Sequence, residues 1–316
     1  MFWFQCSITP KHSFNNEVVA TSQQKERLNM ATLNVSSMSQ LVNALFTATS
    51  DDVIEILADL DFNEVYNTFE IPVEIAGGNA ISDLTINGNN HAIKNMDTNC
   101  LNSGSTLFKI PTIQDGHYFT VNNLSFLNCH VTKSKRYFNS TQSDHTKIIF
   151  SNCVFQGTFQ ACPILAPCKV VDSMFTFNIP SKGDLLRGSP SSQPRWIRCW
   201  FYFDRSDTNT SGTFGTSFEQ CYFGGIISVY YTSSSSEFLS GLNSCCYNVT
   251  TNLTGISNPV ITTIFNSAST SPTVINKDKI TMIGTEWEDT TYLKLVTDEQ
   301  MHDADQLAQV GFDIIV

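Results

Sequence analysis

A short pattern returns along the middle of the chain and constrains its fold more than any other feature. In each copy an apolar residue stands three positions before a Cys or Ser, a polar residue stands directly before it, and an apolar residue follows two positions after it. The key positions are Cys129, Cys153, Ser173, Cys199, Cys221 and Cys245. Their spacing of about two dozen residues is what one coil of three short strands and three turns consumes. Since one such coil cannot bury its inner face alone, the pattern predicts an all-β parallel solenoid of stacked coils.

The cysteines recur mostly once per coil, and their spacing indicates whether they bind metal, form disulfides or remain free thiols. The chain has 10 cysteines, no CxxC pair and no histidine cluster beside them, so a zinc site is not expected. Cys162 and Cys168 are close enough in sequence to pair, whereas the others are predicted to be free thiols that pack in the core like small apolar groups. Asn128 and Asn152, each directly before a key cysteine, predict an asparagine stack at a coil corner.

Short helices are predicted at both ends of the solenoid. Apolar residues at helical spacing over 39–49 follow Ser39 as an N-cap, and the first strand begins at Val53. Near the other end Thr297 and Gln300 form a capping box that opens a helix over 298–310. Polar loops are expected at 133–146, 180–194 and 204–217. The predicted units are an N-terminal extension or arm (1–38), a capping helix with the first strand (39–62), a β-helix (63–258) and a C-terminal segment with a terminal helix (259–316).

The charge balance limits the classes of partner. The formal net charge is -11, and only 15% of the residues are charged. Contacts to nucleic-acid phosphates and to anionic membrane surfaces need Lys and Arg, so we expect neither kind of partner and no membrane insertion. The chain has no segment of transmembrane length, and its N-terminus lacks the pattern of a signal peptide. No cofactor is expected.

A family resemblance can be placed on two sets of residues. The coils with an aromatic residue, Asn-Cys and a following Phe, together with the stretch Ile-Asn-Gly-Asn-Asn-His-Ala-Ile-Lys-Asn at 86–95, resemble the pectin-lyase-like right-handed parallel β-helix superfamily over roughly 50–255. The capping helix and the closing segment 295–312 are similar to the ends of β-helix proteins from tailed bacteriophages, which form spikes, fibres and appendages. The resemblance implies a homotrimer that contacts other virion proteins and is located in the virion after assembly in the host cytoplasm.

The same resemblance implies where catalysis would take place in an enzyme of this kind. Superfamily members that cut polysaccharides use acidic residues on the outer face of one sheet, and glycosidases need two carboxylates. The nearest acidic clusters here contain Asp184, beside Arg187, and Asp204 with Asp207. The run of paired aspartates found in polygalacturonases is absent, so these three are weak catalytic candidates that we interpret as solvated loop charges. No metal site is expected, because none of the six histidines has a partner at i, i+4 spacing.

Aromatic residues cluster in the later coils and suggest a binding surface. Strand alternation must point half of them outward, and exposed aromatic rings are the usual platform for sugar rings. The candidate ligand-binding residues are Trp196, Trp200, Tyr202 and Tyr230. The alternatives are that these side chains belong to the core or form contacts between protomers around a three-fold axis.

Together these features predict a non-enzymatic phage virion surface protein, a fibre, spike or appendage that attaches to a host-surface glycan. One alternative is a polysaccharide-degrading tail spike, a glycosidase or lyase, on the same fold. The other is a bacterial surface β-helix adhesin, against which the missing export signal counts. A fold alone does not decide among these functions.

Overall fold

The computed structural model describes residues 30–69, 72–102, 105–178, 194–204, 218–230, 242–243, 245–254, 273–282, 293–303 and 305, without the side chains of 227–230 and of several later strand residues. The first twelve strands are β1 (Thr32–Val35), β2 (Asp52–Ile56), β3 (Leu60–Asp61), β4 (Val73–Glu74), β5 (Leu84–Asn87), β6 (Ala92–Lys94), β7 (Thr106–Ile110), β8 (Phe119–Asn122), β9 (Ser125–Val131), β10 (Arg136–Ser140), β11 (Ile148–Ser151) and β12 (Val154–Phe159). The next twelve are β13 (Ile164–Leu165), β14 (Lys169–Val171), β15 (Met174–Asn178), β16 (Arg195–Ile197), β17 (Trp200–Asp204), β18 (Phe218–Glu219), β19 (Tyr222–Tyr230), β20 (Leu242–Asn243), β21 (Cys246–Thr254), β22 (Thr273–Asn276), β23 (Ile280–Met282) and β24 (Leu293–Val296).

These strands form parallel sheets, which we name A, B and C. In order of pairing, sheet A is β1-β2-β5-β8-β11-β14-β16-β18-β20 and sheet C is β13-β10-β7-β4. Sheet B is β24-β22-β21-β19-β17-β15-β12-β9-β6-β3, with β23 also paired to β21. From β2 to β13 the chain passes through A, B and C in turn, so each strand pairs with its counterpart one coil later. The all-β class with parallel sheets is therefore confirmed, and the arrangement is consistent with a parallel solenoid.

The core is built from columns of identical side chains because parallel pairing places equivalent residues side by side. In sheet B the rings of Phe126, Phe155, Phe175, Phe201 and Phe223 stack in sequence. Their successive centroids are 4.5, 4.8, 5.2 and 5.0 Å apart, and all five rings are buried. Stacked rings fill the space between coils densely, which accounts for the abundance of Phe in the chain.

A second inner column lies at the corner where the chain leaves sheet A and enters sheet B. It contains Cys153, Ser173, Cys199, Cys221 and Cys245, all buried. All nine described cysteines are free and buried, as expected for packed thiols, and Cys162 and Cys168 form no disulfide. The thiol of Cys199 donates to the carbonyl of Val170 in the preceding coil at 3.3 Å. Directly before the column stands a residue with positive φ, for example Asn152 at 50° and Gln220 at 52°, which makes the corner.

The predicted first member of this column, Cys129, is out of register. Val154 pairs with Ser125, so the residue that corresponds to Cys153 is Leu124. Asn128 accordingly does not stack with Asn152 but donates to Oδ1 of Asn95 at 2.6 Å, 33 residues earlier. The expected coil length is therefore too short for the first coils.

A strand of sheet C lies in a segment that was expected to be a loop. Segment 133–146, which the sequence pattern predicts as a loop, contains β10 with buried Tyr137 and Phe138. The hydroxyl of Tyr137 donates to the carbonyl of Met96 at 2.9 Å. Only two adjacent aromatic residues marked this strand in a polar stretch, which is too short a run to show alternation.

Both ends carry a short helix in the described chain. Helix α1 (Met38–Thr47) begins after Ser37, whose side chain accepts from the backbone of Gln40, so the cap lies two residues before the predicted Ser39. Strand β1 lies inside the segment predicted as an N-terminal arm. It pairs with β2, so this part of the segment belongs to sheet A. Helix α2 (Asp298–Met301) has the predicted capping box but ends at the C-cap His302, earlier than predicted, and most of the predicted remainder up to 310 lies outside the described residues. No helix among the described residues is long and apolar enough to cross a membrane.

Candidate functional site

The outer face of sheet B between β12 and β19 carries the most unusual surface of the described chain. We name as the aromatic face the side chains of Met174, Trp200, Tyr202, Tyr222 and Ile226. Four of them are exposed although large and apolar: Met174 at 42%, Trp200 at 37%, Tyr202 at 45% and Ile226 at 49%. Because strand residues alternate between the two faces, these side chains point outward while the phenylalanine column points inward.

Two aromatic rings of this face, those of Trp200 and Tyr222, pack against each other, and we name this pair the platform. Trp200 and Tyr222 occupy equivalent positions on β17 and β19. Their ring centroids are 4.3 Å apart, and the ring planes are inclined by 42°. Met174 precedes Trp200 in the same column on β15, so the platform follows the direction in which the coils stack.

The ring of Tyr222 is held along the sheet rather than away from it. A Cβ atom on Gly224 would lie only 2.8 Å from Cε1 and 3.3 Å from the phenol oxygen of Tyr222, so the ring covers this glycine. Nδ2 of Asn248, on the next strand of sheet B, donates to the phenol oxygen at 3.2 Å. Partial burial raises the pKa of the Tyr222 phenol above its ordinary value. The residue at 224 thus has to be glycine for the ring of Tyr222 to lie in this position.

The hydrogen bonds continue from Tyr222 to the C-terminal helix. Nδ2 of Asn276 donates to Oδ1 of Asn248 at 3.0 Å and to Oδ1 of Asp298 at 2.9 Å. Asn248 and Asn276 are both buried, and buried amides need such partners because an unpaired one costs the full desolvation penalty. Next to these hydrogen bonds, Met301 of α2 packs with Cys246 and Val274, and the half-buried Tyr222 packs against the same cluster.

Neutral polar groups flank the aromatic face. Gln156 on β12 pairs with Thr176 on β15, and Thr176 pairs with Tyr202 on β17, so amide, hydroxyl and phenol form one outward column. Asn178 is aligned with Asp204 in the next outward column. Among the described outward residues of β12, β15 and β17 and of 222–226, Asp204 alone is charged.

The predicted ligand-binding residues separate into three groups. Trp200 and Tyr202 lie on the aromatic face, as expected from alternation. Trp196 is fully buried and stacks on Phe218, so it belongs to the core and cannot contact a ligand. The reason is a corner at Arg198, whose φ of 52° interrupts the strand and reverses which side chains point inward. Tyr230 is in β19, but its side chain lies outside the described residues. Tyr222 was not among the four predicted residues; its alignment with Trp200 becomes visible only once the register is known.

The three catalytic candidates are not brought together by the described structure. Asp204 is exposed at the end of β17, while Asp184 and Asp207 lie outside the described residues. Asp172 is engaged at a corner by Arg198, whose Nε and Nη2 donate to its carboxylate at 2.6 and 2.7 Å. Such a two-point pair fixes the orientation of both groups.

Carboxylates in the first coils act as acceptors that join one coil to the next. Asp59 accepts from the backbone of Ala92 at 3.0 Å and from Nζ of Lys94 at 2.7 Å. The hydrogen bond from Lys94 is the largest of the causes that lower the pKa of Asp59 to about 2. Asp61 accepts from Nδ2 of Asn95 at 2.9 Å, and the pKa of Asp61 is also lowered. These groups are therefore part of the fold.

A further cluster brings together Asp51, Asp83 and His117, whose potential ligand atoms all lie within 4.8 Å of one another. The cluster could not be predicted from sequence spacing, since each of its residues comes from a different coil. Asp83 accepts from the backbone of Tyr118 at 2.7 Å and faces Nδ1 of His117 at 3.3 Å. The same contact between a histidine and an aspartate one coil earlier occurs for His130 and Asp97, at 3.0 Å. The pairing is thus a recurrent link between coils.

Known proteins give no further guide to this surface. No protein family, no curated protein and no solved structure matches the chain.

Proposed function

We propose that this protein is a non-enzymatic phage virion surface protein, a fibre, spike or appendage, which attaches to a host-surface glycan through the aromatic face. The observation that carries the proposal is the exposed pair Trp200 and Tyr202, with the half-buried Tyr222 packed on Trp200, on strands with an aromatic core behind them. The proposal includes the finer fold, a right-handed parallel β-helix of the pectin-lyase-like kind. Its support is the parallel pairing of sheets A, B and C together with the sequence resemblance.

Carbohydrate fits the chemistry of this surface. A sugar ring offers C–H groups to an aromatic face and hydroxyl groups to nearby amides and hydroxyls. The aromatic face supplies the first kind of contact, and Gln156, Thr176 and Asn178 supply the second.

The non-enzymatic part of the proposal rests on the carboxylates. Hydrolysis of a glycosidic bond uses a pair of carboxyl groups about 5–10 Å apart. On the described outer face of β12, β15 and β17, Asp204 has no such partner. The carboxylates Asp59, Asp61 and Asp172 are occupied as hydrogen-bond acceptors or in an ion pair.

The assembly is proposed from the family resemblance. We propose a homotrimer in the virion that contacts other virion proteins, and the mass of the protein in solution tests its oligomeric state. A monomer at micromolar concentration would contradict the trimer without affecting the glycan-binding surface.

The decisive experiment incubates the purified protein with cells and with surface polysaccharides of candidate host bacteria. We expect binding without new reducing ends and without the ultraviolet absorbance of unsaturated products. The double variant Trp200→Ala/Tyr202→Ala should lose binding, whereas Tyr118→Ala, which removes an exposed tyrosine that precedes β8 in sheet A, should retain it. Released oligosaccharides would instead favour the degrading tail spike and direct attention to Asp204, through Asp204→Asn. Absence of all binding would contradict the attachment function.

A further inference from the structure

We infer that the ligand of the aromatic face is an uncharged glycan and that Tyr222, held flat over Gly224, is a stacking platform for it beside Trp200. This inference rests on the proposed function, because it names the class of glycan and a specificity-determining residue of the same surface. It comes from the charge pattern of the outer face and from the way in which Tyr222 is anchored.

The charge pattern of the described outer face favours an uncharged ligand over an anionic one. Recognition of carboxylate, phosphate or sulfate groups relies on Arg and Lys, and often on two-point contacts from Arg. The described outward residues of β12, β15 and β17 and of 222–226 include no Lys and no Arg. The one charged residue there is Asp204, which would repel an acidic sugar. The net charge of -11 for the chain adds repulsion at longer range.

The anchoring of Tyr222 indicates that its ring is prepared for stacking before any ligand arrives. A tyrosine on an open strand would ordinarily sample several rotamers, and binding would then have to freeze them. Here Asn248 holds the phenol oxygen, and Asn276 links Asn248 to Asp298. Gly224 leaves the space that the ring occupies. A platform that is already ordered reduces the entropy cost of binding.

The position of the platform also sets the direction of the glycan. Trp200 and Tyr222 are aligned residues on neighbouring strands, and Met174 continues their column on β15. Neighbouring strands are about 4.8 Å apart, so successive sugar rings that stack on this column run across the strands, along the direction in which the coils stack. The amide and hydroxyl column of Gln156 and Thr176 then lies along one side of the glycan.

The test measures binding of uncharged polysaccharides, dextran, mannan and galactan, and of anionic ones, polygalacturonate and polysialic acid, by titration calorimetry. We expect uncharged glycans alone to bind, with an affinity that changes less than about twofold between about 0.05 M and 0.5 M NaCl, because screening affects only charged contacts. Trp200→Ala and Tyr222→Ala should each weaken binding about tenfold, the size expected for loss of one aromatic contact.

Two further variants separate the ring of Tyr222 from its anchoring. Gly224→Ala should displace the ring and weaken binding about as much as Tyr222→Ala, whereas Tyr222→Phe, which keeps the ring, should weaken it less. The matched control is Tyr118→Ala, with an expected change below twofold. Circular dichroism of each variant establishes that it is folded.

The outcomes distinguish this inference from the proposed function. Preferential, salt-dependent binding of an anionic glycan that Trp200→Ala abolishes would overturn the inference and leave the attachment surface in place. Binding of an uncharged glycan that is unaffected by both Tyr222→Ala and Gly224→Ala would remove Tyr222 from the surface. If no bacterial cell and no polysaccharide binds, the proposed function fails and the inference fails with it.

Discussion

The indole of Trp200 packs against the ring of Tyr222 on the outer face of sheet B, whereas Trp196, four residues earlier, is fully buried. The corner at Arg198 separates the two tryptophans and directs one to solvent and the other to the core. Substitution of Trp196 and of Trp200 therefore separates an effect on stability from an effect on glycan binding.

Alanine at each tryptophan should give opposite results. Trp196→Ala leaves a large cavity, and we expect it to lower the free energy of unfolding by about 3–5 kcal/mol. Trp200→Ala removes one exposed aromatic contact and should lower it by about 1 kcal/mol while it weakens glycan binding. Urea unfolding followed by circular dichroism measures the free energy of unfolding of each variant. An equal loss of stability in both variants would mean that Trp200 has a structural role.

A finer variant tests the environment of Trp196. Its Nε1 is buried without a hydrogen-bond partner in the described structure, and an unpaired buried donor costs about 1–3 kcal/mol. Trp196→Phe removes this donor and loses less volume than Trp196→Ala. We therefore expect Trp196→Phe to be markedly more stable than Trp196→Ala in the same unfolding experiment.

The phenylalanine column of sheet B should carry a large part of the stability. Phe175 stacks between Phe155 and Phe201, with ring planes inclined by only 2° and 15°. We expect Phe175→Ala to cost about 3–5 kcal/mol. The neighbouring Met174→Ala, on the exposed side of the same strand, should cost less than about 1 kcal/mol. A similar effect of both changes on the urea midpoint would contradict the inward column.

Glycine at position 157 is required by the distance between coils. A Cβ there would lie 2.0 Å from the carbonyl oxygen of Cys129, so Gly157→Ala must push β9 and β12 apart, at a cost of about 3 kcal/mol. The control is Gly116→Ala. Gly116 has a φ of +81° and no neighbour within 4 Å, so only the backbone penalty of about 1 kcal/mol is expected. Thermal unfolding of both variants measures the difference, and equal effects would show that the coils tolerate the added carbon.

The inward columns of the later coils were predictable from sequence because a fixed step returned the same residues to the same position. At Cys153, Ser173, Cys199, Cys221 and Cys245 the pattern located the corner correctly. At Cys129 it did not, since Leu124 can fill an inner corner as well as a thiol and the hydrophobic pattern alone does not separate two registers five residues apart.

The candidate site was predictable only in part. Alternation within one strand placed Trp200 and Tyr202 on the same face, which required no knowledge of other strands. Trp196 was misplaced because the corner at Arg198 interrupts alternation, and an arginine gives no local sign of a positive φ. The role of Tyr222 depends on Gly224, Asn248 and Asn276 together, and such contacts between coils are fixed by register rather than by sequence spacing.

Acid should remove the contribution of Asp59 to the free energy of unfolding. Its pKa is lowered from 3.8 to about 2, mainly by the hydrogen bond from Lys94. Because the folded protein holds the ionised form more strongly, this contribution is present above pH 3.8 and is lost as pH falls through about 2. Asp59→Asn should therefore lower the midpoint of thermal unfolding at neutral pH, and the difference from the unmodified protein should shrink as pH falls toward 2. A difference that is constant with pH would contradict this origin.

The buried thiols should be unreactive until the chain unfolds. Burial raises the pKa of Cys129 and of Cys153 to about 12, so almost no thiolate is present at neutral pH, and neither sulfur is exposed to reagent. A cysteine in an unfolded chain has a pKa of about 8.5. Since the folded protein disfavours the thiolate, stability should fall as pH rises from about 9 toward 12. Iodoacetamide labelling followed by mass spectrometry should detect no modification of these two residues in native buffer at pH 8 and complete modification in concentrated urea. The Cys6→Ser variant removes the N-terminal thiol from the measurement. Rapid labelling of Cys129 or Cys153 in native buffer would show that the core opens to solvent at that residue.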